Sequence, residues 1–95
     1  MYFQKQDLAG THYNPQDEHT QFTGQPTRRM FDRFNGNQVV FIINSFGSLL
    51  EKFTLEEARE IELQIATRLP IDIKSEISVF NWIRNWSASP MPHIF

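Results

Sequence analysis

The chain has 95 residues, enough for one domain, and no Cys, which excludes a disulfide framework, a thiolate metal site and a cysteine nucleophile. Its net charge of −2 creates no overall field that would attract nucleic acid or an acidic membrane surface. A hydrophobic fraction of 40% with 21% charged residues is typical of a globular protein. The longest apolar run is far shorter than the roughly 20 residues that cross a bilayer, so we expect a cytoplasmic protein with no membrane partner.

Residues 1–27 are predicted to form an irregular N-terminal arm. Gly10, Gly24, Pro26 and the pair Asn14-Pro15 interrupt it, and no apolar period continues for more than a few residues. The composition is compatible with an arm that becomes ordered only on binding. The side chains that could anchor it to the domain or to a partner are Tyr2, Phe3, Leu8, Tyr13 and Phe22.

The most hydrophobic run, Val39–Ile43, lies between two turn signals. Asn35-Gly36 favours a hairpin because both residues tolerate the positive φ of a type I′ turn, and Phe46-Gly47-Ser48 predicts a second turn. We therefore predict a three-stranded antiparallel β-meander with strands at about 28–34, 38–46 and 49–53, its middle strand apolar on both faces. The strand register around Asn35-Gly36-Asn37 stays open.

Two α-helices are predicted after the sheet, at about 55–69 and 73–86. Thr54 and Glu57 form a capping box at the start of the first helix, Pro70 ends it, and Asp72 or Ser75 caps the second. The predicted fold is thus α+β: one domain at 28–86 with both helices on one sheet face, then a C-terminal tail at 87–95. The arm, a second copy or a foreign partner must cover the other sheet face.

No motif for catalysis, cofactor binding or metal binding stands out. There is no phosphate-binding glycine loop, and His12, His19 and His93 lie in the predicted arm and tail without the spacing of a familiar metal site. We therefore expect no enzyme activity, no cofactor and no metal. Glu62 projects from the apolar face of the first helix, so it is expected either to reach the rim or to meet a cation, supplied by an Arg of the first strand, Arg59 or Arg84.

The sequence favours binding of another protein, or of a second copy, through the flank of the second helix. Trp is the residue most enriched at binding hot spots, and Trp82 and Trp86 are neighbours on the helix surface. The hypothesis is a regulator, inhibitor or assembly component that occludes or bridges a partner surface. A hairpin followed by a capping-box helix is common in small bacterial and phage proteins. The predicted partner-binding residues are Trp82, Trp86, Leu63 and Val79.

Nucleic-acid binding is the alternative function. Arg28, Arg29 and Arg33 form the one basic cluster, and Phe31 and Phe34 lie between and after them. Arginine and aromatic side chains on a strand can contact phosphates and stack on bases. The competing interpretation is an edge strand whose charges prevent sheet-to-sheet association.

Overall fold

The computed structural model describes residues 3–14 and 22–88. Within these ranges a short 3₁₀ turn at Lys5–Asp7 precedes three α-helices, α1 (Gly36–Gly47), α2 (Leu55–Thr67) and α3 (Glu76–Ala88). The same residues contain no β-strand, and one isolated antiparallel bridge joins Met30 to Ser75. The predicted α+β fold, with its three-stranded meander, is therefore wrong. The described chain is helical.

The segment predicted as the middle strand, 38–46, is helix α1 at the centre of the core. Asn35 is its N-cap, because the Asn35 side chain accepts a hydrogen bond from the Gln38 amide at 3.2 Å. The Asn-Gly pair thus starts a helix instead of closing a hairpin. Val39, Ile42 and Ile43 are fully buried, and α1 contacts both α2 and α3. A helix enclosed on most sides is apolar around most of its circumference, which made this sequence resemble a buried strand.

The segments predicted as the outer strands, 28–34 and 49–53, are extended or turn structure. The first runs beside the chain that leads into α3, where the Phe31 amide donates to the Lys74 carbonyl at 2.7 Å. The second connects α1 to α2. Its Phe53 ring lies so close to Gly47 that a Cβ there would be 2.5 to 3.0 Å from ring atoms. That contact explains why glycine is needed at the end of α1.

The starts of α2 and α3 follow the predicted caps. Thr54 Oγ1 accepts from the Glu57 amide at 3.1 Å, and Glu57 Oε1 accepts from the Thr54 amide at 3.2 Å, which confirms the capping box. Ser75 Oγ accepts from the Ser78 amide at 3.2 Å, so Ser75 caps α3. Beside this cap Glu76 is fully buried and Ile77 is 42% exposed, so at the start of α3 the carboxylate faces the core.

The N-terminal arm packs on the helices and supplies part of the core. Phe3 is fully buried, and Leu8 and Tyr13 pack against the buried cluster. The arm thus helps to bury the apolar segment 39–43. At the other end, α3 extends to Ala88, inside the predicted tail, whose residues 89–95 lie outside the described part of the chain.

Candidate functional site

An open apolar cleft lies between the chain before α1 and the chain that joins α2 to α3. Its volume is about 230 Å³. Three of its apolar side chains are exposed: Ile71 at 88%, Met30 at 74% and Phe34 at 48%. Contiguous exposed apolar side chains are typical of interaction sites. We call this surface the Ile71 cleft, and its lining residues are Met30, Phe31, Asp32, Arg33, Phe34, Leu69, Ile71, Ile73 and Lys74.

Arg33 links the two sides of the Ile71 cleft by hydrogen bonds. Its guanidinium donates to the carbonyl oxygen of Leu69 at 2.9 Å and to that of Ile65 at 3.4 Å. These carbonyls lie at or just beyond the end of α2, where helical carbonyl groups lack partners within the helix. A cation is also favoured there by the helix dipole. Hydrogen bonds therefore fix the backbone that carries the exposed side chains of the cleft.

Gln38 of α1 supports the cleft from the buried side, and its side chain is 2% exposed. Its Oε1 accepts from the Asp32 amide at 2.7 Å, and its Nε2 donates to the Met30 carbonyl at 2.9 Å. Gln38 thus adds two hydrogen bonds to the main chain of residues 30–32, beside the bond from the Phe31 amide to the Lys74 carbonyl.

The fully buried carboxylate of Glu76 connects α3 with the segment before α1. It accepts from Arg29 Nε at 2.6 Å, Arg29 Nη2 at 3.0 Å, Gln38 Nε2 at 2.8 Å and the Thr27 amide at 3.1 Å. Burial favours the neutral acid. The bonds from Arg29, Gln38 and Thr27 together outweigh it, so the pKa of Glu76 is held below its ordinary value. Glu76 is therefore the ionic centre of the fold, at a position where the sequence predicts an ordinary helix start.

The three arginines proposed for nucleic-acid binding do not form one free basic surface. Arg29 is paired with Glu76, and its guanidinium carbon lies 4.8 Å from the centroid of the Phe22 ring. Arg33 is bound to the carbonyls at the end of α2. Arg28 is exposed. Two of the three charges thus have structural roles, which leaves a weak footprint for contact with phosphates.

The four residues proposed for partner binding are divided between two helices. Val79 is fully buried in the core, and Trp82 and Trp86 on α3 are partly buried and pack against it. Leu63 on α2 is 54% exposed and lines a different cleft, which contains none of the other three. Val79 is therefore unavailable to a partner, and a role for the exposed parts of Trp82 and Trp86 stays a prediction.

Glu62 lies in that second cleft, which has a volume of about 280 Å³. The carboxylate accepts from the Ala9 amide at 2.8 Å, the Gly10 amide at 3.0 Å and the Tyr13 hydroxyl at 2.6 Å. Within residues 3–14 and 22–88 its donors are thus neutral groups of the arm, and not the expected cation. Burial and the bond to Glu62 raise the pKa of Tyr13 well above its ordinary value, so the hydroxyl stays protonated and remains a donor.

We expect Glu62→Ala to lower the free energy of unfolding by about 2 kcal/mol, because the arm then loses the acceptor of three hydrogen bonds. Urea denaturation measures this loss, and hydrogen exchange at the Ala9 and Gly10 amides should become faster. Glu60→Ala, at an exposed position of the same helix, is the matched control and should change stability by less than about 0.5 kcal/mol. Equal effects of the two substitutions would contradict this role of Glu62.

The sequence does not reveal the Ile71 cleft. Met30 and Phe34 lie in the predicted first strand, and Ile71 has no predicted role. The available signal is Pro70-Ile71-Asp72, which places a large aliphatic side chain in a turn between helices. Turns favour Gly, Pro, Asn, Asp and Ser, so an aliphatic residue there needs another explanation. The closeness of the two segments depends on Arg33 and Gln38, whose bonds no local pattern reveals.

Among the described residues, no group of three or more His, Cys, Asp and Glu could hold a metal ion. His12 packs against the Tyr13 ring, with centroids 4.1 Å apart, while His19 and His93 lie outside the described ranges. The helices within those ranges are too short or too polar for any of them to span a membrane.

Comparison of the chain with protein families, with curated proteins and with solved structures finds no match. The expectations of a regulator or inhibitor and of a bacterial or phage source therefore have no relative to support them, and the expected small α+β domain is replaced by a helical one.

Proposed function

We propose that the protein is a non-catalytic module that binds another protein through the Ile71 cleft. The observation that carries this proposal is the exposure of Ile71, Met30 and Phe34 on one surface. Burial of apolar surface against a partner favours association. Because Arg33 and Gln38 hold the backbone of the cleft, less conformational freedom is lost on association.

The size and charge of the cleft support a protein surface as its partner. Its volume of about 230 Å³ is below the roughly 300 Å³ at which pockets for drug-sized ligands begin. It therefore suits one or two apolar side chains of a protein surface better than a cofactor. Asp32 and Lys74 line the same cleft with opposite charges, so the partner surface should carry both signs around its apolar centre.

Ile71→Asp should weaken binding by about 2 kcal/mol, roughly a thirty-fold rise in Kd, because it places a charge at the centre of the apolar contact. The chain should still fold, since Ile71 is 88% exposed. The immobilised chain would first retain candidate partners from its native source. Isothermal titration calorimetry with each purified partner would then measure the Kd.

Ile77→Asp is the matched control, because Ile77 is also exposed but lies on α3 outside the cleft. A partner that uses the Ile71 cleft binds this variant with unchanged Kd. The proposal fails if the purified partners bind Ile71→Asp as tightly as the unaltered chain, or if the unaltered chain retains none.

A further inference from the structure

Helices α1 and α2 hold the N-terminal arm mainly by its main chain. The Asn44 side chain accepts from the Phe3 amide at 2.8 Å and donates to the Phe3 carbonyl at 2.7 Å. Arg59 Nε donates to the Asp7 carbonyl at 3.2 Å. Glu62 accepts from the Ala9 and Gly10 amides, as described above. Side chains from two helices thus pair with five main-chain groups of the arm, as a peptide-binding domain pairs with an extended ligand.

The arm also offers side-chain anchors to the same surface. Phe3 is completely buried, and Tyr13 adds its hydroxyl bond to Glu62. Gly36, at the start of α1, allows a close approach, because a Cβ there would lie 3.2 Å from Leu8 Cδ1. The surface therefore favours a ligand with an aromatic side chain at one end and two main-chain amides, six and seven residues later, that can donate hydrogen bonds. In the arm these residues are Phe3, Ala9 and Gly10.

We propose that this surface, centred on Asn44, Arg59 and Glu62, is a peptide-binding site and that the N-terminal segment of a second copy can occupy it in place of the chain's own. The contacts join residues at least 41 positions apart in the sequence, so nothing local requires them to come from the same chain. Exchange of an identical segment between copies keeps every contact. In the single chain the tethered arm has the advantage of a high effective concentration, on the order of millimolar. A substitution that weakens the binding of the chain's own arm should therefore allow the arm of a second copy to bind.

The test uses the full chain with Phe3→Ala, which weakens its own arm, and a labelled, N-acetylated peptide with the natural sequence of residues 3–14. Fluorescence anisotropy should show saturable binding at least tenfold tighter than to the unaltered chain, whose own arm competes. The same peptide with alanine at the Phe3 position should bind at least tenfold more weakly. Adding Asn44→Ala to the Phe3→Ala chain should abolish binding, because the receptor side is then damaged.

Circular dichroism confirms that each variant is folded. If Phe3→Ala unfolds the chain, Tyr13→Phe takes its place, because it removes only one hydrogen bond from the arm. The proposal is overturned if the folded variant shows no saturable binding, if both peptides bind equally, or if Asn44→Ala leaves the affinity unchanged. This experiment tests the site at Phe3 and Asn44, whereas the function proposed above is tested at Ile71, so the two proposals can fail separately.

Discussion

Glu76→Ala is expected to lower the free energy of unfolding by about 3 kcal/mol. The substitution removes a fully buried carboxylate. The Thr27 amide then lacks its acceptor, and the buried Gln38 side-chain amide keeps only its bond to the Met30 carbonyl. Loss of one member of a buried ionic cluster is among the most destabilising changes in a core, whereas replacement of the whole cluster by apolar side chains can be neutral. Urea denaturation followed by circular dichroism measures the loss.

The matched control for this prediction is again Glu60→Ala, which removes a carboxylate from an exposed helical position. Its effect should stay below about 0.5 kcal/mol. A loss below about 1 kcal/mol in Glu76→Ala would show that the hydrogen bonds around Glu76 add little to the stability of the fold.

The lowered pKa of Glu76 makes its contribution depend on pH with a definite sign. A carboxyl group whose pKa is lower in the folded state stabilises the fold above its unfolded pKa, and this contribution is lost as the pH falls through the folded pKa. The stability that Glu76 contributes therefore begins to fall as the pH drops to about 4.5, the ordinary pKa of a glutamate, and continues to fall below it. From about pH 5 to about pH 3, the stability of the unaltered chain should fall more steeply than that of Glu76→Ala. Parallel slopes would contradict this account.

The sequence predicts the local features of α2 well because short-range interactions determine them. Thr54 and Glu57 are three residues apart and satisfy each other's amides whatever the rest of the chain does. Ser75 caps α3 for the same local reason. Local chemistry of this kind can be read from a single sequence, since both partners lie within one turn.

The sequence of helix α1 predicts a strand because two of its signals have two meanings. Asn35-Gly36 can close a hairpin, but Asn is also a favoured N-cap, and here its side chain binds the Gln38 amide. Val and Ile favour strands, yet tertiary burial overrides that preference. The spacing of the buried residues Val39, Ile42, Ile43 and Phe46 is helical, and the partly buried Val40 and Phe41 between them concealed it.

The two polar centres of the molecule depend on contacts that no local pattern contains. Glu62 stands on an apolar helix face, so a partner was foreseeable, but the Ala9 and Gly10 amides are 53 and 52 residues away. Glu76 is bound to Arg29 across 47 residues. The same limit applies to the Ile71 cleft, whose two sides meet because Arg33 reaches the end of α2.

Ile42→Ala is expected to lower the free energy of unfolding by about 3 to 4 kcal/mol, in the middle of the range for buried Ile. Ile42 is completely buried on α1, which contacts both other helices, so little can move to fill the space left by the lost methyl groups. A domain of this size has a total stability of about 5 to 14 kcal/mol. Each kcal/mol lowers the melting temperature by roughly 4 to 8 °C, so thermal and urea denaturation should both detect the loss.

Ile71→Ala provides the control with the same chemical change, because Ile71 is 88% exposed. Its effect on unfolding should be within about 0.5 kcal/mol, since the side chain already contacts water in the folded state. The contrast between the two variants tests whether α1 lies at the centre of the core. The apolar run alone does not distinguish a buried helix from a buried strand at this position. Comparable losses in both variants would place Ile42 outside the core and remove the packing on which the helical fold depends.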